Sequence, residues 1–530
     1  MPLQFGLVAL DIIVSWIRMI LALGLSIVFA LTVGILAARN KRAEGVILPL
    51  LDIFQSIPIL GFFPFVIVAI YGPPGFALHN FIGANVAVIV LIFTSMSWNI
   101  AFGVYESVKA IPQDYADLLN VSQASSWQRI RSLYIPASMS RIAYNTQISW
   151  AVGLFFLVAS EIISSGSTSI PVGYGIGVAV SEFVFPTFDY ANYVLLVAGI
   201  VVAVVIWRFL FLREFALWSE KYKMMEEPRE VRRDPVLRFY SWVSHRSVSK
   251  LFLIGQGRGV TRFTSSIARF RKGLRYAVLI FLGLFFLVVA AAIGSSGGLG
   301  AISIPSPSYL VSRELFVIYN LAVSFVRVWF VVAICVAIGL PLGIVVSLNF
   351  KLYDTVSPLL EVISSIPAPI LLPAILLIPL IGRNPEAVAD LVILLSVFWY
   401  IVFNVMAGVR TLPADMKELP RVYRVGRTSA WRNVYIPSAI TALVTGAITA
   451  VGGAWNALIV AEYFQLDPSS PPLSQVQSGI GKVITIATNK GDNLTLFLAV
   501  STMTVLIVGF NLTVWRRLYN RATRRYTYNR

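Results

Sequence analysis

Four charged side chains, Arg18, Glu161, Arg327 and Glu462, lie within long apolar runs of the chain. A charge in such a run is costly and marks solute or ion handling by default, so Glu161 and Glu462 are pathway candidates. The competing reading places them at helix ends that reach the outer interface. Arg18 and Arg327 sit beside aromatic neighbours and read as side chains snorkelling to the interface rather than lining an anion pathway. Ser56 and Ser365 each precede Ile-Pro, which fits either a broken helix beside a pathway or a helix cap. Trp98 and Trp399 are read as packing residues or as gates. Catalytic chemistry has little to draw on. Cys335 is the only cysteine, and His79 and His245 lack partners at ligand spacing, so neither metal nor cofactor is expected. Val476–Lys482 lacks the leading glycine and the Ser/Thr of a P-loop. Gly173-Tyr174-Gly175-Ile176-Gly177 lies between two apolar runs and reads as a tight turn or re-entrant segment rather than a dinucleotide loop.

A second kind of chemistry is duplicated. Lys109–Pro136 and Arg410–Pro437 are polar islands that align without gaps at a shift of 301. Asp117 falls on Glu418, Arg131 on Arg432, and Tyr134-Ile135-Pro136 on Tyr435-Ile436-Pro437. Each has a Pro-Gln/Ala-Asp helix start, an acidic residue in the first turns, later basic residues and a closing proline. The expected element is a short amphipathic helix outside the bilayer (about 112–134 and 413–435) that presents a docking surface. The second copy is the more basic, with Lys417, Arg421, Arg424, Arg427 and Arg432.

The elements that must carry these residues follow from composition. With 57% hydrophobic and 13% charged residues, and a mean hydropathy of +0.79, the chain reads as a membrane protein. Apolar runs of about 20 residues recur, the length of a transmembrane helix. The net charge of +17 is concentrated between runs, at Arg213–Arg275 and Arg516–Arg530, which is the positive-inside pattern and not a nucleic-acid footprint. No cleaved signal peptide is expected, because the first run starts too near Met1 to hold a basic n-region. The whole arrangement repeats. Ser15-Trp16-Ile17-Arg18 matches Ser324-Phe325-Val326-Arg327 at a shift of 309, and Trp98, Phe102 and Glu161 match Trp399, Phe403 and Glu462 at 301.

The expected fold is all-α and polytopic, a tandem parallel duplication of a five-helix unit with about 11 spans. Residues 1–213 form the first unit, 214–275 a basic cytoplasmic linker beside lipid headgroups, 276–300 an extra connecting span and 301–530 the second unit. Basic ends inside put the N-terminus outside and the C-terminus in the cytoplasm of a prokaryote's plasma membrane.

The duplicated polar segment resembles the EAA loop of the permease subunits of binding-protein-dependent ABC importers. In that motif an acidic residue is followed by a glycine six positions later and a proline nineteen later. Asp117 with Pro136, and Glu418 with Pro437, keep the spacing; Gln123 and Arg424 stand at the glycine position, with Gly426 two residues late. Phe54-Gln55-Ser56-Ile57-Pro58, Ser364-Ser365-Ile366-Pro367 and Ala461-Glu462 resemble the sulfonate/nitrate/taurine branch. The resemblance implies two units around one pathway, two cytoplasmic ATPase subunits receiving the polar helices, and an external solute-binding protein delivering a small solute. Asp117, Leu118, Gln123, Trp127, Pro136, Glu418, Arg424, Gly426 and Pro437 would then form the ATPase-coupling surfaces, and the chain itself would hydrolyse no ATP. From the residues alone, an ion-coupled secondary transporter and a non-transporting scaffold that recruits soluble partners remain alternatives.

Overall fold

The computed structural model describes residues 3–56, 58–61, 63, 66, 80–165, 172–184, 187–222, 307–410, 412, 416, 420, 422–465, 472–515 and 517–518. The basic linker from 223 onward, the extra span at 276–300 and Glu418 lie outside the described residues. The first unit comprises α1 (Phe5–Arg39), α2 (Lys41–Ser56), α3 (Asn80–Lys109), α4 (Gln113–Val121), α5 (Ser126–Arg129), α6 (Ile135–Ser165), α7 (Ile176–Val184), α8 (Tyr190–Trp207) and α9 (Arg213–Glu220). The second comprises α10 (Pro307–Leu348), α11 (Phe350–Ser364), α12 (Ala368–Leu376), α13 (Pro385–Arg410), α14 (Arg427–Ala430), α15 (Ile436–Glu462), α16 (Ile480–Lys490) and α17 (Asn493–Phe510). A two-stranded antiparallel ribbon, Tyr463–Phe464 with Ser474–Gln475, follows α15. Among the described residues eight helices are long and apolar enough to cross a membrane, and α11 with α12 forms a ninth candidate bent by 79°. Of the other two expected spans, the connecting one lies outside the described residues and the first unit's second span is described only at 58–61, 63 and 66.

The repeat is visible in how helices begin. Asp189 caps α8 by accepting from the Asn192 amide at 3.2 Å, and Asp492 caps α17 from Thr495 at 3.0 Å. Within each unit the first span packs on the third and the third on the fourth: α1 on α3 and α3 on α6, then α10 on α13 and α13 on α15. Between units, α12 packs on α6 and α7, α11 on α8, and α2 on α17. Buried apolar side chains of both units form one continuous cluster, from Met19 and Val88 to Val397 and Met503.

The polar segment differs from the single helix expected at 112–134. It divides into α4, a turn at Ser122–Ala124, and α5, which runs without a stop into the fourth span. Pro136 and Pro437 do not close a helix; each is the second residue of the spanning helix α6 or α15. The physical reason is a five-residue π-helical stretch just before each proline, Ile130–Tyr134 and Trp431–Tyr435. Proline has no N–H to give and its ring crowds the carbonyl four residues back. Widening the turn removes that conflict, and the Ile135 and Ile436 amides reach back to the carbonyls of Ile130 and Trp431.

Candidate functional site

Each unit contains a buried polar clip at the end of its fourth span. In the first, Arg18 Nη1 lies 2.5 Å from Glu161 Oε1, and the same oxygen accepts from Ser15 Oγ at 2.8 Å. Glu161 Oε2 accepts from the Gly177 amide at 2.8 Å, Ser15 Oγ from Ile176 at 3.0 Å and Asp11 Oδ1 from Gly175 at 2.8 Å. Three successive amides at the start of α7 are thus held by α1 and α6. Such amides have no partner within their own helix, and the positive end of the helix dipole favours a carboxylate there. Arg18 also donates to Asn85 Oδ1 at 2.7 Å and to the Val172 carbonyl at 3.0 Å.

The second unit repeats the arrangement with Arg327, Glu462 and Ser324 on the amides of Gly479, Ile480 and Gly481 at the start of α16. Ser324 Oγ donates to Glu462 Oε1 at 2.7 Å, and Glu462 Oε2 accepts from Gly481 at 2.7 Å. Ile480 donates to Ser324 Oγ at 2.8 Å and Gly479 to Asn320 Oδ1 at 2.9 Å. Arg327 pairs with Glu462 and with Glu386, and its Nε lies 3.4 Å from Asp390 Oδ1. Close approach explains the glycines. A Cβ on Gly177 would sit 2.6 Å from Glu161 Cβ, and one on Gly481 2.8 Å from the Leu458 carbonyl oxygen.

The arginines are therefore not snorkelling. Arg18 and Arg327 are 2% and 8% exposed, Glu161 and Glu462 are fully buried, and each pair closes inside its own unit. Desolvating both charges is costly, and pairing plus hydrogen bonds to every carboxylate oxygen compensates. The sequence reading missed Asp11, Ser15, Asn85, Asn320, Ser324 and Glu386 as members of these clips. The signal was present, since Ser15 and Arg18 recur as Ser324 and Arg327.

The remaining pathway candidates are dispersed. Trp98 stacks on Phe54 at 5.3 Å and meets Phe29 edge-on at 5.7 Å. Trp399 leans on Phe398 at 5.2 Å and Phe403 at 6.5 Å. Ser365 ends α11, donating its hydroxyl to the Glu361 carbonyl at 2.7 Å, where the helix pair bends. Ser56 ends α2, and Ile57 beyond it is not described.

At the polar segments, Asp117 and Leu118 of α4 are exposed, Leu118 by 65%. Val121 follows at 83%, and in the second copy Val422 and Tyr423 are exposed by 70% and 73%. Gln123 and Arg424 have φ of 51° and 50°, and among the described residues no other non-glycine has positive φ. The left-handed turn that a glycine would supply is thus kept by both substitutes. Gly426 does not replace it; with φ −59° it occupies the N-cap of α14, where Ser125 and Gln128 build a capping box on α5, the short helix carrying the half-buried Trp127.

The two units, each with its left-handed turn, are matched by a known family. Residues 30–215 and 336–525 each match the binding-protein-dependent transport system inner membrane component. The chain belongs to this family. Its relatives include the nitrate import permease protein of Leptolyngbya laminosa, 26% identical over 34% of this chain and 61% of that protein. The bicarbonate transport system permease protein of Synechococcus elongatus is 29% identical over 37% of this chain and 76% of its own length. The taurine transport system permease protein of Escherichia coli is 24% identical over 28% of this chain and 51% of its own. The chain thus spans less than two thirds of the first and third of these relatives. Within the family, the clips lie on the spans that each matched segment includes or adjoins, and the left-handed turns fall inside both segments.

Proposed function

We propose that this chain is the transmembrane permease of an ABC importer, two fused units lining one pathway for a small anionic solute. The observation that carries the reading is the same strained turn at Gln123 and Arg424, set in a family whose members depend on binding proteins. Exposed Tyr115, Leu118 and Val121 in one copy, and Val422 and Tyr423 in the other, form apolar patches beside charges. Surfaces of that kind are covered by partners. The partners proposed are two cytoplasmic ATPase subunits, seated on Asp117, Leu118, Gln123, Trp127 and Pro136, and on Glu418, Arg424, Gly426 and Pro437. An external solute-binding protein would deliver the solute. Relatives named for nitrate and bicarbonate support an anionic cargo, and the one named for taurine a cargo that carries an anionic group. The unit boundaries 1–213 and 301–530, the linker 214–275 and the connecting span 276–300 belong to the same reading, as do an outer N-terminus and a cytoplasmic C-terminus.

The test is charge reversal. Asp117→Lys should leave the membrane fold intact, since an exposed charge rarely decides stability, and Glu418→Lys is the matching change in the second copy. In an interface the same change creates a repulsive pair, and uptake driven by ATP should fall at least tenfold. Unchanged uptake and unchanged co-purification of the ATPase in both variants would refute the docking assignment.

A further inference from the structure

The second span of the second unit is broken at Ile366-Pro367, and in the first unit Pro58, past the end of α2, opens a helical turn of the same local geometry. Gly61 donates its amide to the Pro58 carbonyl at 3.1 Å, and Ile370, its counterpart, donates to Pro367 at 3.0 Å. A break within the bilayer frees backbone groups that no water or lipid tail can satisfy. Here the opposite unit reaches both breaks, meeting a freed first-turn amide at one and a carbonyl of the following helix at the other. The Ile59 amide donates to Asn456 Oδ1 on α15 at 2.6 Å, across 397 residues of chain. Tyr193 Oη on α8 donates to the Ile370 carbonyl at 2.6 Å. Both side chains are buried, 7% and 5% exposed. Each is also fixed within its own unit. Asn456 Nδ2 donates to the Gly452 carbonyl at 3.0 Å, and the Tyr193 ring stands edge-on to Phe188 at 5.2 Å.

The two bonds are alike in place and unlike in chemistry. At a shift of 301 Asn456 corresponds to Phe155, and by the shared caps Asp189 and Asp492 Tyr193 corresponds to Leu496. Neither counterpart can hydrogen-bond, so among the described residues each break carries one cross-unit bond. Asn456 lies on a span that carries a clip, and Tyr193 lies at the start of the helix that follows one. Asn456 is six residues before Glu462, and Tyr193 is three residues into the helix that follows α7.

We propose that Asn456 and Tyr193 are positioning residues that hold the broken second span of the opposite unit and thereby latch the outer ends of the two units together. The idea rests on the permease reading for its orientation. Units that rock as rigid bodies cannot part on the outer side without breaking both bonds. Each bond therefore weights the outer-closed arrangement, and loss of either shifts the population toward the outer-open one.

The test uses the full chain in lipid vesicles, with Cys335→Ser to remove the native thiol and Met503→Cys as reporter. Met503 is fully buried, and its methyl lies against the Gly61 backbone, 3.4 Å from where a Cβ would stand. Alkylation by a membrane-impermeant maleimide on the outer side should speed up about fivefold in Asn456→Leu, the size expected for one net hydrogen bond. Tyr193→Phe removes a single oxygen at the other break and should raise labelling of the same reporter by a similar factor. A packing defect confined to the second break would not reach Met503→Cys. Unchanged labelling in Tyr193→Phe would overturn the proposal, and so would an equal increase with reagent on the cytoplasmic side. Neither ATPase nor binding protein takes part, so a failed importer reading would leave a one-sided increase standing.

Discussion

At the scale of single residues, the two clips are near copies that differ where the comparison is informative. Asp11 and Asn320 accept the same loop amide, from Gly175 and Gly479. The spare nitrogen of Asn320 donates to the Phe316 carbonyl at 2.8 Å, whereas the spare oxygen of Asp11 is buried without a partner. A buried polar atom without a partner costs about 1–3 kcal/mol. Asp11→Asn should let the new nitrogen donate to the Leu7 carbonyl and raise the thermal unfolding midpoint of the detergent-solubilised chain. Asn320→Asp should lower it. A lower midpoint for Asp11→Asn would show that the carboxylate has a role the amide cannot fill. The arginine and glutamate of each pair were singled out in the sequence; their pairing was not, and the carboxylates of Asp11 and Glu386 were missed. Arg18 and Glu161 are 143 residues apart, and they repeat at different shifts, 309 and 301, so the repeat places them without joining them. Reading each as a lone charge led to snorkelling for the arginines. Opposite charges buried in one unit had a cheaper solution in each other.

At the scale of elements, the duplicated polar segments show the same backbone shape on different residue types. Gln123 and Arg424 adopt a left-handed conformation that costs a non-glycine residue about 1 kcal/mol. Gln123→Gly and Arg424→Gly should each be tolerated, leaving the turn in place and raising stability slightly. Gln123→Val should distort it, because β-branched residues fit that region worst. Measured affinity for the ATPase subunit should be unchanged in the glycine variants and reduced several-fold in Gln123→Val; the opposite ranking would mean the turn is not what the partner reads. The sequence showed where these segments lie and that they are duplicated. It did not show their division, because a proline after a run of helix formers reads as a stop, and only the π-helical winding before Pro136 and Pro437 lets the helix pass through. The amide of Gly175 and the carbonyl of Ile370 carry no side-chain signal, so the contacts made to them could not be read from residue types at all.

At the scale of the whole molecule, hydropathy and basic residues carried most of the architecture, since a bilayer fixes span length and the charge asymmetry fixes orientation. On the proposed reading, five spans per unit and one connecting helix would put the two termini on opposite sides. Single cysteines near residue 3 and residue 528, probed with impermeant reagent on intact cells and on inverted vesicles, should label from opposite faces, and labelling from one face would refute the count of eleven. What hydropathy could not carry was the meeting of the two units, because lipid-facing and partner-facing apolar residues look alike in a sequence. That meeting has a consequence of its own. Most oligomers are built from identical copies, and their shared axis makes opposite walls identical. A solute on such an axis can turn half a revolution and find nothing changed. In this chain Asn456 stands opposite the register of Phe155, and Tyr193 opposite that of Leu496, so half a revolution exchanges unlike surroundings. Joining the units in one polypeptide releases the two halves from that two-fold identity, and the cross-unit contacts at Ile59 and Ile370 differ accordingly.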